Sequence, residues 1–258
     1  MDEGLAYLSP TGPTRILHAD LPVMLIGGIA SLMLQSLHPG AMAGVVQHSN
    51  YVDDPLGRLE RTARFIAVTT YGSHDDAAAA IRRVGRLHDA VQGVDELGHP
   101  YRATSPELLR WVHAAEVASF IAAHRRYGAR HVEGKFYDEY LDEMAKVPID
   151  LGADWVPRSR KELEDYFASV RNELVVTEGT REVRRFLLEG VGRLPHQVLV
   201  HQVLVAAARD VLPSWAAKDL ELDHLPGTDR LVVRPSAHAL AAMLRLVVPV
   251  PEPSDSTD

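Results

Sequence analysis

Cysteine is absent from this 258-residue chain. Its absence excludes disulfides, thiolate-held metals, a thiolate-ligated haem and covalent c-type haem attachment. A chain without cysteine suits a reducing compartment, and a cytoplasmic location is the expectation. An excess of positive charge is absent as well. The net charge is −8, which argues against a general binder of nucleic acid or of an anionic membrane. The N-terminal residues lack a basic region followed by an apolar core, so no secretory signal is expected. Long apolar runs are also lacking. The best, Leu21 to Leu37, is interrupted by Pro22, Gly27, Gly28, Ser31, Gln35 and Ser36. Its roughly 17 residues sit at the lower edge for a membrane span, so it reads as a buried helix and no stable span is expected. Alternating Val/Ile/Tyr runs do not recur at strand spacing. Gly-x-Gly-x-x-Gly, a phosphate loop, Gly-x-Ser-x-Gly and His-Glu-x-x-His are all missing, which leaves nucleotide binding, serine hydrolysis and a zincin-type site without support.

What is present is helical. The simplest reading is one all-α domain over residues 21–248, preceded by an irregular arm, 1–20, that holds Pro10, Gly12 and Pro13. The Pro/Ser/Asp-rich tail, 249–258, is expected to be disordered. Helical patterns cover about 22–37, 40–48, 54–70, 75–91, 105–127, 134–146, 159–174, 178–190, 196–211 and 236–247. Asp54-Pro55 supplies an N-cap with proline at the first helical position, and Ser105-Pro106 does the same for the longest helix, which Gly128 closes. Residues 92–104 read as a loop around Gly98-His99-Pro100. Arg230–Arg234 is the best strand candidate but is too isolated to build a sheet. Local arginine clusters (Arg82, Arg83, Arg86; Arg125, Arg126, Arg130; Arg181, Arg184, Arg185) read as solvated helix faces.

Thirteen histidines make imidazole, with carboxylate, the available metal ligand. Ile81, Val84, His88 and Val91 share one helical face, so His88 points inward, either as a hydrogen-bonded core residue or as a ligand. On the preceding helix Leu56, Leu59, Ala63 and Ile66 form the apolar stripe, and Arg58, Thr62 and Phe65 run beside it with Arg61 on the flank. That row is either an exposed charged face, with Glu60 and Arg64 at i, i+4, or a set of hydrogen-bond donors bordering a pocket. Leu109, His113, Glu116 and Phe120 form a row on the long helix. His113 and Glu116 suit a ligand or a partner that fixes a ligand's tautomer. A ferritin-type di-iron site needs Glu-x-x-His on two helices, and Glu96-x-x-His99 falls in a Gly/Pro loop instead.

The ordered set Leu37-His38-Pro39, Gly44-Val45, His48-Ser49, Asp54-Pro55-Leu56-Gly57-Arg58-Leu59-Glu60-Arg61-Thr62, Tyr71-Gly72, His88-Asp89-Ala90-Val91-Gln92-Gly93, Tyr101-Arg102-Ala103 and Leu108-Leu109-Arg110-Trp111-Val112-His113 resembles the MpaB-like oxygenases, relatives of the rubber oxygenase known as latex clearing protein. The match spans about residues 22–128 and continues more loosely to about 245. The resemblance implies a single helical domain with a globin-like core, haem b as the cofactor and His88 as axial ligand to its iron. It further implies dioxygen and a small apolar, isoprenoid-like substrate whose C=C bond is oxidised or cleaved. Arg58, Arg61 and Thr62 align with the distal Arg-x-x-Lys-Thr of the rubber oxygenases. On that basis Arg61 and Thr62 are the candidate catalytic residues, while Arg58 and His113 join His88 as candidate cofactor-binding residues. Arg61 replaces a lysine. Arginine stays charged and does not ligate iron, so Arg61 would act as a hydrogen-bond donor. The rubber oxygenases place a glutamate upstream of this motif, whereas no acid occurs here between Asp20 and Asp53. Two other classes stay open: a haem-binding protein without turnover, such as a sensor or carrier, and a cofactor-free helical binding module.

Overall fold

The computed structural model describes residues 6–49, 53–132, 134–190, 194–222 and 226–250. The fold is all-α apart from one small hairpin. Its helices are α1 (Pro13–His18), α2 (Leu21–Gln35), α3 (Pro39–His48), α4 (Pro55–Tyr71), α5 (His74–Asp89), α6 (Pro106–Tyr127), α7 (Phe136–Met144), α8 (Lys146–Leu151), α9 (Arg160–Val170), α10 (Glu178–Glu189), α11 (Pro195–Val211), α12 (Ser214–Asp219), α13 (Pro226–Thr228) and α14 (Arg234–Val247). The expected tail lies outside the described residues from 251 onward, as does the side chain of Leu56.

The cap signals operate as written in the sequence. Asp54 accepts from the Gly57 N–H at 3.0 Å and Ser105 from the Leu108 N–H at 3.4 Å, each followed by proline at the start of the helix. Other elements depart from expectation. Strands β1 (Gln92–Val94) and β2 (Pro100–Arg102) pair antiparallel where a loop was expected, with Gly93 opposite Tyr101. Asp95 makes the turn possible by accepting the N–H groups of Leu97 and His99, both at 2.9 Å. The strand candidate at Arg230–Arg234 is instead a π-helical segment, Asp229–Val233, that feeds directly into α14. Three consecutive apolar residues there could not reveal that Asp229 would be buried and held by Arg209 at 2.6 Å. Part of the expected irregular arm is also structured. It carries α1, buries Leu17, and sends the Tyr7 hydroxyl to Asp150 at 2.7 Å.

The packing centres on α2 against α6. Cβ-free Gly27 lies directly against Phe120, and at the other end the Trp111 indole N–H donates to the Gln35 carbonyl at 3.1 Å. The two helices therefore run antiparallel. Val23, Ile26, Ala30 and Leu34 meet Ala114, Val117, Phe120 and Ala123 in one buried cluster that extends to α7, α9, α10 and α11. Full burial of each large apolar side chain contributes about 1.5–3 kcal/mol, so this seam is the main stabilising element.

Charged clamps lock the C-terminal end of α6 onto its neighbours. Buried Asp210 on α11 accepts from Arg126 at 3.0 Å, from the Tyr127 hydroxyl at 2.9 Å and from Arg234 through both oxygens. Buried Asp20, just before α2, takes Arg245 of α14 through both oxygens, at 3.0 and 2.8 Å, and the Ala129 N–H at 2.8 Å. Arg126 thus leaves the solvated face expected for its cluster. Removing one partner of such a network strands the other charges, at a cost of roughly 3–5 kcal/mol. Asp210→Ala should therefore lower stability to urea by that amount at pH 7. The Asp210 carboxyl is held below the usual carboxylate range, since its donors from Arg234 and Tyr127 outweigh burial, which acts the other way. Its stabilisation is complete above the unfolded carboxylate pKa of about 4 and is lost as pH falls below it. The gap between wild type and variant should accordingly close in acid, and a gap that persisted at pH 2 would contradict the role given to the ion pairs.

Candidate functional site

Beside the α2–α6 seam part of the α2 surface is open. Leu25, Gly28 and Leu32 follow at i, i+3 and i+7 on one side of α2, where Leu25 packs against the main core. Leu32 is 37% exposed, and a Cβ on Gly28 would meet nothing within 4 Å. On α6, Val112 and Glu116 lie one turn apart on the adjoining side. Val112 is 38% exposed and Glu116 is half-buried. Gln35 stitches the two helices together through its amide, which donates to Ser31 Oγ at 2.9 Å and to the Val112 carbonyl at 3.1 Å. The helix pair α4–α5 joins the same core, with Ala77 and Ile81 of α5 buried in it. α4 packs on α1 and α5, and α5 on α8, while Phe65 and Ile66 reach the main core. The two consecutive glycines of α2 therefore do different work. Gly27 admits Phe120, and only Gly28 opens onto space.

The expected distal residues and the expected ligand come to lie on neighbouring helices in contact with one another. Arg58 is half-buried and already engaged. Arg61 is 62% exposed and paired with Asp54 at 3.0 Å, and the Thr62 hydroxyl donates back to the Arg58 carbonyl at 3.0 Å. Among the described residues no hydrogen bond or ion pair joins Arg61 or Thr62 to His88. That histidine is half-buried, close to Gly85, around which a Cβ would also meet open space. Its imidazole makes no hydrogen bond among the described residues, so the Asp89 carboxylate does not fix its tautomer. Burial lowers the His88 pKa below its ordinary value, with Asp89 partly opposing. A neutral ring with a free nitrogen is the form that ligates a metal.

His113 is buried, and its Nε2 has no partner at all. Burial drives its pKa down to about 3, so it too is neutral. Glu116, one turn on, makes no hydrogen bond to it or to any other described residue. Burial alone pushes the Glu116 carboxyl up to about 7. Close by is a chain of polar groups that the sequence did not announce. Thr70 Oγ1 meets His18 Nδ1 at 2.8 Å, and His18 Nε2 meets the Tyr140 hydroxyl at 3.1 Å. Tyr140 in turn feels the charge of Glu116. Its members come from α4, α1, α7 and α6, far apart in sequence, and no local motif could signal them.

Among the described residues no cluster of three His, Asp or Glu side chains could hold a bare metal ion. Glu96, weighed above as half of a di-iron motif, is committed elsewhere and accepts the Glu178 and Gly179 N–H groups at the start of α10, at 2.8 and 2.9 Å. A recess of about 900 Å³ with a mixed, mainly apolar lining lies between the hairpin and the α3 and α6 N-termini, with His38, Asp95, Tyr101, Glu107 and Asn172 among its residues. Its inner groups are spent on structure. His38 caps α3 through Nδ1 and Asp95 holds the hairpin turn.

Compared with known proteins, residues 15–246 match the family described as ER-bound oxygenase mpaB/B'/rubber oxygenase, catalytic domain. The chain belongs to this family. It is accordingly an oxygenase-family catalytic domain, and α2, α4, α5 and α6 all lie within the matched span. Among the described residues no single helix of this oxygenase domain is long and apolar enough to cross a membrane; α2 and α3 together reach the length but are bent by 106°. The Lon protease of Frankia alni (strain DSM 45986 / CECT 9034 / ACN14a) is 28% identical over 145 residues, which is 56% of this chain and 16% of that protein. So short a share of the protease, with no phosphate loop on this side, carries no argument about activity. No solved structure matches.

The two glycines of α2 and the Glu116 carboxyl can each be tested by substitution. A Cβ at Gly27 would sit 2.5 Å from Phe120 Cδ1, and 3.1 Å from its backbone, so Gly27→Ala should cost about 1–3 kcal/mol in urea unfolding. Gly28→Ala should instead stabilise α2 by roughly 0.5–1 kcal/mol. Equal effects would mean that the two glycines do not face different surroundings. Glu116 holds a proton in the folded protein from its ordinary 4.5 up to about 7, where the unfolded chain has released it. Stability therefore falls as pH rises through that window, by an amount on the order of 2–3 kcal/mol. Glu116→Gln should match wild type near pH 5 and exceed it by that margin at pH 8.

Proposed function

We propose that this chain is a haem b-dependent oxygenase, using dioxygen to oxidise or cleave a C=C bond in a small apolar, isoprenoid-like substrate. One observation carries the haem reading: burial favours the neutral form of two imidazoles, His88 and His113, each with a ring nitrogen that no described residue satisfies. The donor set fits the group. Among the described residues no group of imidazoles and carboxylates could hold bare iron, whereas haem asks only one imidazole of the protein. His88 would hold the iron, and Arg58 would pair with a propionate. When bound, the haem supplies the activation of dioxygen. The chain supplies the surroundings. Leu32 and Val112 would offer apolar surface to an apolar chain, and Gly28 leaves room for its close approach. Arg61 and Thr62 would donate hydrogen bonds to partial negative charge, Arg61 only after exchanging Asp54 for the ligand. His113 stays in reserve as a pocket wall or as the ligand in place of His88. This reading takes over the globin-like arrangement that the family resemblance implies.

A second reading, a haem-binding protein without turnover, is favoured by one specific feature. The Arg61 guanidinium is mostly in solvent and committed to Asp54, and the Thr62 hydroxyl to backbone. The absorption spectrum of the protein as purified separates both readings from a cofactor-free helical module, which would have no Soret band. Oxygen uptake with a polyprenyl substrate then separates turnover from storage. His88→Ala should lose most of the haem or shift the Soret band, and an unchanged spectrum with full haem would move the ligand to His113.

A further inference from the structure

Helix α14 is apolar on both of its sides. Its inner side, Ala237, Leu240, Ala241 and Leu244, closes a crevice against α2 and α11. Its outer side is uncharged and open. Pro235, Ala239, Ala242 and Leu246 follow at i, i+4, i+7 and i+11, and all four are exposed. Met243 and Val247 flank this row at 62% and 77% exposure, and Leu246 reaches 84%. The π-helical segment that feeds α14 adds Leu231 and Val232, which are also exposed. The arginines and the histidine of the helix do not break the row. Asp210 and Asp20 draw Arg234 and Arg245 inward, and His238 lies against the Tyr127 ring. A helix that is apolar all round is normally covered all round.

The neighbouring helix extends the same surface. α11 runs antiparallel to α14, since Arg209 and Asp210 at its end hold Asp229 and Arg234 where the C-terminal segment begins. Its exposed Leu199 therefore lies toward the Val247 end of α14. The large side chains of Leu199, Leu231, Val232, Met243, Leu246 and Val247 leave on the order of 800 Å² uncovered, more than the roughly 300–600 Å² of the largest patch on an ordinary monomer and close to what each partner gives a standard interface.

The chemistry of the face selects its occupant. Residues 251–258 of the chain bring Glu252, Asp255 and Asp258 and no large apolar side chain, so they do not match it. Helices that lie on a bilayer ring their apolar face with Lys and Arg. Here both arginines of the helix are turned to carboxylates, and the chain carries a net charge of −8. An uncharged apolar face matches another of its kind, and a second copy of this chain supplies one. In a two-fold contact each surface meets itself, so any charge on it would face its like, and the row carries none. The small residues also fall where such a contact needs them. Ala239 and Ala242 lie between Val232 and Leu246, so two copies of the helix can cross closely at the alanines while the larger side chains interdigitate on either side.

We propose that the outer face of α14 is the contact between two copies of this chain, related by a two-fold axis that passes at Ala239 and Ala242. The dimer buries Met243, Leu246 and Val247 of each copy, with Leu199 at the rim.

Sedimentation equilibrium of the full chain as purified, over a dilution series through the micromolar range, tests the proposal. Wild type should sediment at twice its 28.4 kDa. Leu246→Glu and Ala239→Glu should each sediment as the monomer, with the dissociation constant raised at least about 100-fold, because a two-fold axis counts every substitution twice. Both residues are exposed in the single chain, so far-UV circular dichroism should match wild type and show the fold intact. Leu97→Glu is the control. Leu97 is 47% exposed in the hairpin turn, away from α14, and its substitution should leave the dimer unchanged. A wild type that stays monomeric throughout the series overturns the proposal, and co-sedimentation of that monomer with phosphatidylcholine vesicles would assign the face to a bilayer instead. A dimer that persists in both α14 variants places the contact elsewhere and overturns it equally.

Discussion

The close approach of α2 and α6 at Gly27 and Phe120 is the constraint on which the rest of the structure depends. With no side chain at residue 27 the phenyl ring lies against the backbone of α2, and the seam closes from there to Trp111 and Gln35. The face of α2 that this contact turns away from α6 is then decided by helical geometry. Pro22 and Ile26 go to α11 and α14, Leu25 packs on the main core, and Gly28 and Leu32 are left toward open space.

Stability and function draw on buried polar groups in opposite ways. Asp20 and Asp210 are buried but saturated, each by an arginine fork and a further donor, and they bind four helices together at one end of α6. His88, His113 and Glu116 are left unsatisfied toward the other end and on α5. Groups of the first kind hold the fold, and groups of the second kind cost it stability, which is the usual mark of a site.

Most helices were legible in the sequence because their signals are local. Asp54-Pro55, Ser105-Pro106 and Gly128 each act within a turn of where they are written, and the helices they delimit lie where expected. The misses are cases where a distant partner decides. Arg230–Arg234 reads as a short apolar strand, but Arg209 captures Asp229 and the chain continues as a helix. Arg126 reads as solvated until Asp210, 84 residues away, is brought against it. The hairpin at residues 92–102 depends on Asp95 turning its carboxylate onto two backbone N–H groups, and spacing does not reveal this.

For the site, the sequence by itself determined which chemistries are available. With no cysteine there can be imidazole and carboxylate ligation only, and the ordered motifs from Leu37 to His113 carry the family. It also put His88 on an inward face and His113 in one row with Glu116, because helical periodicity is a local property. Only the tertiary structure decided which of these groups are satisfied. Arg61 and Thr62 proved to be engaged by Asp54 and by backbone, Glu143 by the N-terminal segment, and His18 by Thr70 and Tyr140. His88, His113 and Glu116 were left over. Whether a polar group has a partner is a question about three-dimensional neighbours, and most of those partners lie tens of residues away in the chain.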